Sequence, residues 1–424
     1  MAYDPGMAAN EQSKKREMLS LSEAREKVLA HLRGVEAPED RVPLDQTLGR
    51  TLTHSLVVPA DYPAFDNSAM DGFALRAEDL VESDRLRLLG ESLAGHPSSR
   101  VLEKGTCQRV MTGGVIPEGA DAVVPVENTS GFEPDEEGMI RFEVRPQPGA
   151  NLRKRGEIRK KGDESLPKGT RIRAAHLAIL AHEGWATLPV ARRPRVAILP
   201  TGDEIIEVDQ EPALGQVRNC NSYALAGMAE ALGAEVTRLP VAADAAGSLE
   251  ERIAAALDAY DLVCTIGGVS MGTKDLVRPC FRGLGGEAVI EAIRIKPGKP
   301  TFFGLLPKEG RTARLLGLPG NPGSALTIFA LLGAPLLRRM QGVPEEECLA
   351  VHKAALWFSK VRPNWRSQAL PGRLRPRLDG LVVEHLRQVN SADFYSFLDA
   401  DALILVGENQ APRDGDLVEW VPLP

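Results

Sequence analysis

The sequence comprises 424 residues, 43% of them apolar and 26% charged, so it holds enough apolar material for several cores and excludes global disorder. At about 150 residues per domain, this length points to between two and four domains. Lysine and arginine total 51 against 58 aspartates and glutamates, a formal charge of −7 that disfavours bulk nucleic-acid binding through a basic surface.

Residues 1–15 are polar, lack the apolar centre of a secretory signal and read as a loose tail, which points to the cytoplasm. Residues 19–32 predict a helix: Ser20 or Ser22 offers a cap, apolar positions recur at helical spacing and Gly34 follows the end. From residue 41 to about 190, short β-type runs at 51–58, 107–111, 122–126 and 140–144 alternate with glycine, proline and acidic turns, predicting one or two β-rich domains. After Arg192-Arg193-Pro194 the texture changes to a strand at 195–199, a helix from Ser222 and a strand at 235–241. A helix at 248–257, a buried strand at 261–266, a helix at 276–284 and β-type runs at 288–295 and 315–318 follow. Such alternation predicts a parallel α/β layer. Asn321-Pro322 opens a long helix to about Arg339, with proline where its missing N–H costs nothing. Gly342-Val343-Pro344 marks a boundary, and residues 350–424, with turns at Asp379-Gly380 and Asp414-Gly415, predict a small β-barrel or sandwich.

The longest apolar stretch, 325–337, is short and contains Pro335, so it fits a buried helix rather than a membrane span. Cys107, Cys220, Cys264, Cys280 and Cys348 form no C-x-x-C pair, which argues against a structural zinc site or a disulfide framework. No internal repeat is present.

In an open parallel sheet, ligands sit beyond the carboxyl ends of the strands, so the turns after Leu199, Ile266 and Leu318 are the places to search. The second turn holds Gly267, Gly268, Ser270 and Asp275, and its glycines allow backbone N–H groups to approach an anion; a tight structural turn accounts for the same spacing. Its Thr273-Lys274 order is inverted relative to a P-loop. The third turn carries Pro319 and Pro322, as stiff helix start or as rigid ligand loop. Lys296-Pro297-Gly298-Lys299-Pro300 holds two cations in a loop with little entropy to lose, suited to an oxyanion, though a solvated basic turn reads the same. Glu204, Asp244 and Asp275 follow successive strands, and Mg²⁺, which takes oxygen ligands and substrate phosphates, is one role for them; helix capping is the other. In the β-rich region, residues 63–74 pack polar side chains between aromatics, including Asp71, and a second glycine turn carries Thr112. The basic run 153–161 is either a solvated face or a local attractor of anions.

Taken in order, PAFDNSAMDGFAL, RVMTGGVIPEGADAVVPVE, NLRKRGE, LPTGDEI, CTIGGVSMGTKD, IKPGKP, LPGNPGSAL and NSADFYSF resemble the molybdopterin molybdenumtransferase (molybdate insertase, MoeA-type) family, to which the gephyrin C-terminal domain also belongs. The resemblance spans about residues 17–424. It implies an α/β plus β multidomain fold with a central doubly wound, mostly parallel sheet, two inserted β-rich domains and a C-terminal β-barrel-like domain. The implied boundaries are a tail at 1–15, an α/β molybdopterin-binding domain at 16–38 and 194–343, and a β-rich linking domain at 39–58 and 163–193. A β-rich domain carrying Asp71 then covers 59–162 and the C-terminal domain covers 344–424.

The resemblance also implies a homodimer whose active site is shared between subunits, with molybdopterin adenylyltransferase and molybdoenzymes as partner classes and no nucleic acid or membrane. The reaction carried over is Mg²⁺-dependent insertion of molybdate into adenylylated molybdopterin with release of AMP. On that basis Lys296 and Lys299 hold molybdate or phosphate, Gly267, Gly268 and Ser270 line the substrate, and Pro319 and Pro322 stiffen the loop. Glu204, Asp244 and Asp275 position Mg²⁺ and water, Asp71 and Thr112 act from the partner subunit, and Ser391 acts from the C-terminal domain. Ile158 stands where the family commonly has aspartate, Pro200 replaces a serine, and Gly323 replaces a larger residue. Two other readings use the same fold: an ATP-dependent molybdopterin adenylyltransferase, and a non-enzymatic scaffold.

Overall fold

Ser20 starts the first helix, Leu21–Ala30, with a reciprocal cap: its hydroxyl accepts the Glu23 N–H at 3.3 Å while the Glu23 carboxylate accepts the Ser20 N–H at 2.7 Å. The computed structural model describes residues 18–242, 246–269, 275–358, 361–378 and 380–424. The chain forms two compact units, one comprising the chain up to Thr53, Gly169–Leu177 and Ala186–Pro424, the other His54–Lys168 and Ala178–Trp185.

In the first unit a six-stranded sheet runs in the order Glu235–Arg238, Arg195–Pro200, Leu262–Ile266, Arg311–Leu318, Phe302–Lys308, Glu287–Ile290. The first four strands are parallel and the last two join antiparallel, so the layer is mixed. Alternate residues of Arg195–Pro200 serve opposite faces. Val196 and Ile198 pack with the opening helix and with Leu225 and Phe329, while Ala197 and Leu199 pack with Leu249, Val277 and Phe281. Covering on both faces explains why these strands read as continuous apolar runs.

The expected long helix is present as Pro322–Ile328, a π-helical turn Phe329–Gly333 and Ala334–Met340. Pro335, which has no N–H to donate, sits just beyond the wide turn. The β-type run expected at 288–295 is two pieces: Glu287–Ile290 ends in the α/β sheet, and Ile295–Lys296 pairs instead with Ser367 and Gln368. Strand Phe302–Lys308 and helix Ala174–His182 went unread in the sequence.

The C-terminal strands close on themselves. Ser367–Arg377 pairs with Gly380–His385, which pairs with His352–Trp357, then Leu417–Pro422, then Ala402–Val406, which returns to Ser367–Arg377. Leu356, Val383, Ile404, Val418 and Trp420 fill this five-stranded barrel.

The second unit is built on a sheet in the order Ala122–Pro125, Gly72–Leu75, Thr106–Val110, Arg85–Ser92, Met139–Arg141. Phe73, Leu75, Leu86, Val124 and Ile140 form its core, with Phe73 edge-on to Phe142 at 5.9 Å. Among the described residues no helix is long and apolar enough to cross a membrane, and all five cysteines are free thiols.

Candidate active site

Three turns meet at the carboxyl edge of the parallel strands. The Thr201 N–H donates to the Ile266 carbonyl at 2.9 Å, and the Gly267 N–H donates to the Leu318 carbonyl at 3.0 Å, so each turn is held by the strand beside it. Gly267 and Gly268 both take positive φ (88° and 63°), and a Cβ at Gly267 would stand 2.9 Å from the Thr201 carbonyl oxygen. Glycine is required there for conformation and for space. Asn221, opening the helix after the first turn, donates its side-chain N–H to the Gly320 carbonyl at 2.7 Å. The sequence pattern did not single out Asn221.

The lysine loop lies in the same unit. Lys296 is exposed and Lys299 half-buried, and among the described residues neither is in a salt bridge. Thr301 fixes the loop from within, its hydroxyl donating to the Gly298 carbonyl at 2.7 Å and its N–H to the Lys299 carbonyl at 2.9 Å. A cation missed by the sequence reading stands beside it. Arg366 donates to the Ile295 carbonyl at 3.2 Å, its Nε is buried without a partner among the described residues, and burial pulls its pKa below the ordinary value. No local signal marks it, because Arg366 reaches the loop only through the pairing of Ile295 with Ser367.

Ser391 is brought to the third turn, where its hydroxyl oxygen lies 2.7 Å from the Asn321 side-chain nitrogen. A Cβ on Gly323 would come within 2.6 Å of Gln388 Nε2 and 3.0 Å of the Ser391 carbonyl oxygen. The small residue at 323 therefore makes room for the C-terminal loop. Pro319 is buried and Pro322 occupies the first helical position.

Of the three acidic candidates, Glu204 is exposed and its side chain folds back over Gly202. Asp275 is only 19% exposed and is paired with the guanidinium of Arg278. Asp244 and Ser270 lie outside the described residues. Mg²⁺ commonly takes one or two protein carboxylates and completes its shell with waters and substrate phosphates. An exposed strand-end carboxylate such as Glu204 fits that donor set. Among the described residues there is no group of three or more histidine, cysteine, aspartate or glutamate side chains that would form an all-protein cage.

In the second unit, Asp71 and Thr112 form one element: the Asp71 carboxylate accepts both the Thr112 N–H and its hydroxyl, each at 2.7 Å. These two donors hold the Asp71 carboxyl below the usual carboxylate range. Gly72 abuts the Val124 carbonyl so closely that no Cβ fits. Ser68 receives the Gly113 N–H on its carbonyl oxygen (2.8 Å), which ties the Asp71 loop to the Thr112 turn. The basic run is partly internal: Lys154 donates to Asp66 at 2.8 Å and Arg155 to Asp61 at 2.7 Å, while Ile158 is 57% exposed. Lys154 and Arg155 thus fasten the chain at Asp61 and Asp66, and the solvated reading applies to Arg153, Arg159, Lys160 and Lys161.

Two family models match the chain: the MoeA N-terminal region (domain I and II) over residues 19–184, and the probable molybdopterin binding domain over 197–339. The molybdopterin molybdenumtransferase of Haemophilus influenzae is 38% identical over 325 residues, covering 77% of this chain and 78% of that protein. That of Bacillus subtilis is 31% identical over 386 residues, covering 89% and 88%. Among solved structures, a molybdopterin biosynthesis MoeA protein from Pyrococcus horikoshii superposes with a TM-score of 0.80 at 31% identity, over 96% of this chain and 99% of that one.

Proposed function

The chain belongs to the molybdopterin molybdenumtransferase family, transferases that insert molybdenum in molybdenum cofactor biosynthesis, and from that membership we propose the finer chemistry of its site. The reaction is insertion of molybdate into adenylylated molybdopterin, with Mg²⁺ present, hydrolysis of the adenylate linkage and release of AMP. The observation that carries this reading is the loop of Lys296 and Lys299, cationic and internally braced, in the unit that also holds the strand-end turns.

Molybdate and the substrate phosphates are oxyanions, and two ammonium groups in a braced loop stabilise them without reorganisation when charge shifts during reaction. The pterin dithiolene supplies soft sulfur to molybdenum, so no protein thiolate is needed. Gly267, Gly268 and Ser270 line the phosphates, and Pro319 and Pro322 hold the third turn, to which Ser391 is hydrogen-bonded through Asn321. When bound, Mg²⁺ neutralises phosphate charge. Glu204, Asp244 and Asp275 would hold it and its water, Asp275 through the lone pairs that Arg278 leaves free.

The active form is a homodimer in which Asp71 and Thr112 of one subunit complete the site of the other. The domain division is α/β at 16–38 and 194–343, linking at 39–58 and 163–193, the Asp71 domain at 59–162 and the C-terminal domain at 344–424. The enzyme works in the cytoplasm and hands its product to molybdoenzymes.

The test mixes purified protein with adenylylated molybdopterin, Mg²⁺ and molybdate, and follows AMP release together with reconstitution of a cofactor-free molybdoenzyme. Both are expected to depend on molybdate. Consumption of ATP with unmodified molybdopterin, and no molybdate-dependent AMP, would instead mark an adenylyltransferase.

A further inference from the structure

We propose that Arg278 is a positioning residue that fixes the glycine turn after Leu262–Ile266 relative to the Lys296–Lys299 loop; the proposal deepens the reading above and rests on it. Arg278 lies on the short helix Val277–Gly283, and its side chain is only 7% exposed. One terminal nitrogen donates to the Val269 carbonyl at 3.1 Å and to the Asp275 carboxylate. The other donates to the Glu291 carbonyl at 2.8 Å.

These acceptors belong to three segments. Val269 is on the outgoing side of the glycine turn and Asp275 on its return, so a single guanidinium holds the turn's neck. The neck is stitched again by the Leu276 and Val277 N–H groups, which donate to the Gly268 carbonyl at 3.1 and 3.2 Å. Glu291 is on the segment leading from strand Glu287–Ile290 to the lysine loop. Two residues on, the Ile293 N–H donates to the Lys299 carbonyl at 3.1 Å. A continuous line of contacts therefore runs from the glycine turn through Arg278 and residues 291–293 to the lysine loop. Arg282, one helical turn after Arg278, pairs with the Glu291 carboxylate and grips the same residue from outside.

Arg278 is an expensive way to brace a turn. Its guanidinium is buried beside the Phe302 ring, 5.8 Å from the centroid, and its Nε has no partner among the described residues. A buried cation with an unpaired donor carries a desolvation cost that its remaining bonds must offset. A planar fork is the side chain able to reach acceptors on both sides at once, and a lysine ammonium would have to choose. Asp275 is the internal counter-charge of this fork, which accounts for its low exposure better than capping alone.

The experiment measures hydrogen exchange in the full-length Arg278→Met and Arg278→Lys proteins, with Arg282→Gln as the control that leaves the inner fork intact. Exchange in segments 267–269 and 292–299 is expected to accelerate together, by about tenfold or more in Arg278→Met and less in Arg278→Lys, with the barrel strands unchanged. In turnover, KM for molybdate should rise about tenfold while kcat falls less. Acceleration confined to 267–269, or none in either segment, would overturn the proposal, as would an equal effect in Arg282→Gln. Should Arg278→Met fail to fold, Arg278→Lys gives the same reading. Exchange is independent of catalysis: a wild-type protein without molybdate-dependent AMP release overturns the proposed function, whereas coupled exchange without a KM change overturns only the positioning role.

Discussion

At the scale of single residues, charge is either committed or held in reserve. Arg278, Lys154 and Arg155 are spent on carboxylates, whereas Lys296 and Lys299 are not in any described salt bridge. Lys296→Ala should therefore fold normally by circular dichroism yet lose on the order of 10²-fold or more in molybdate-dependent AMP release. Undiminished release would remove Lys296 from the site. Asp71 offers a second handle. Thr112→Val deletes the hydroxyl that helps keep its carboxyl acidic, so the acid limb of the pH–rate profile should move to higher pH, as should the Asp71 titration followed by NMR. An unmoved titration would mean that the backbone N–H alone sets it. The sequence showed these polar runs, but only resemblance joined Asp71 to Thr112, because residues 41 positions apart meet through sheet pairing of Gly72 with Val110. Arg366 and Arg278 were illegible for the same reason: what makes them special is burial and distant carbonyl partners, neither of which has a local pattern.

At the scale of elements, sequence periodicity found what is covered on both faces. Arg195–Pro200 and Leu262–Ile266 were read from their apolar runs, and Leu21–Ala30 from its cap and stripe. Helix Ala174–His182 is apolar nearly all round, so it gave no stripe, and Phe302–Lys308 is broken in composition by Gly304 and Pro307. Gly304 is small because Phe281 fills the space a Cβ would need. The same logic makes Gly323 a sensitive joint. Gly323→Ala would press on Gln388 and on the Ser391 and Asp393 carbonyls, and should destabilise the protein by about 1–3 kcal/mol in denaturant unfolding. The Asn321–Ser391 bond should be lost with it, seen as faster exchange in residues 388–397. A neutral effect would mean that the loop moves aside freely. Gly298→Ala should be worse, because φ is 111° there and Ile328 occupies the Cβ position.

For the whole molecule, acid should be a selective stress. His31, at the end of the first helix, accepts a bond from Arg314 Nε at 2.7 Å, and burial together with that positive charge pushes its pKa down to about 4. In the unfolded chain the imidazole titrates near 6.5. Between these values the unfolded chain takes up a proton that the folded chain refuses, so stability should decline as pH falls from about 6.5 to about 4. A His31→Leu protein should show a flatter pH dependence of its denaturant midpoint, and an identical one would place the acid sensitivity elsewhere.

That first helix has a further consequence. Its partners come from far along the chain: Leu19 bridges Ile293, Arg33 bonds Glu345 at 2.8 Å, and Ala24, Val28 and Leu29 bury against residues as late as Leu337. Synthesis at ~5–20 residues per second separates the helix from those partners by roughly 15–60 s. The helix is thus seated among elements made about 300 residues after it, and its apolar stripe must wait on the ribosome for a surface that does not yet exist. A nascent chain stalled near residue 200 should leave residues 21–30 open to protease, and one released at full length should protect them.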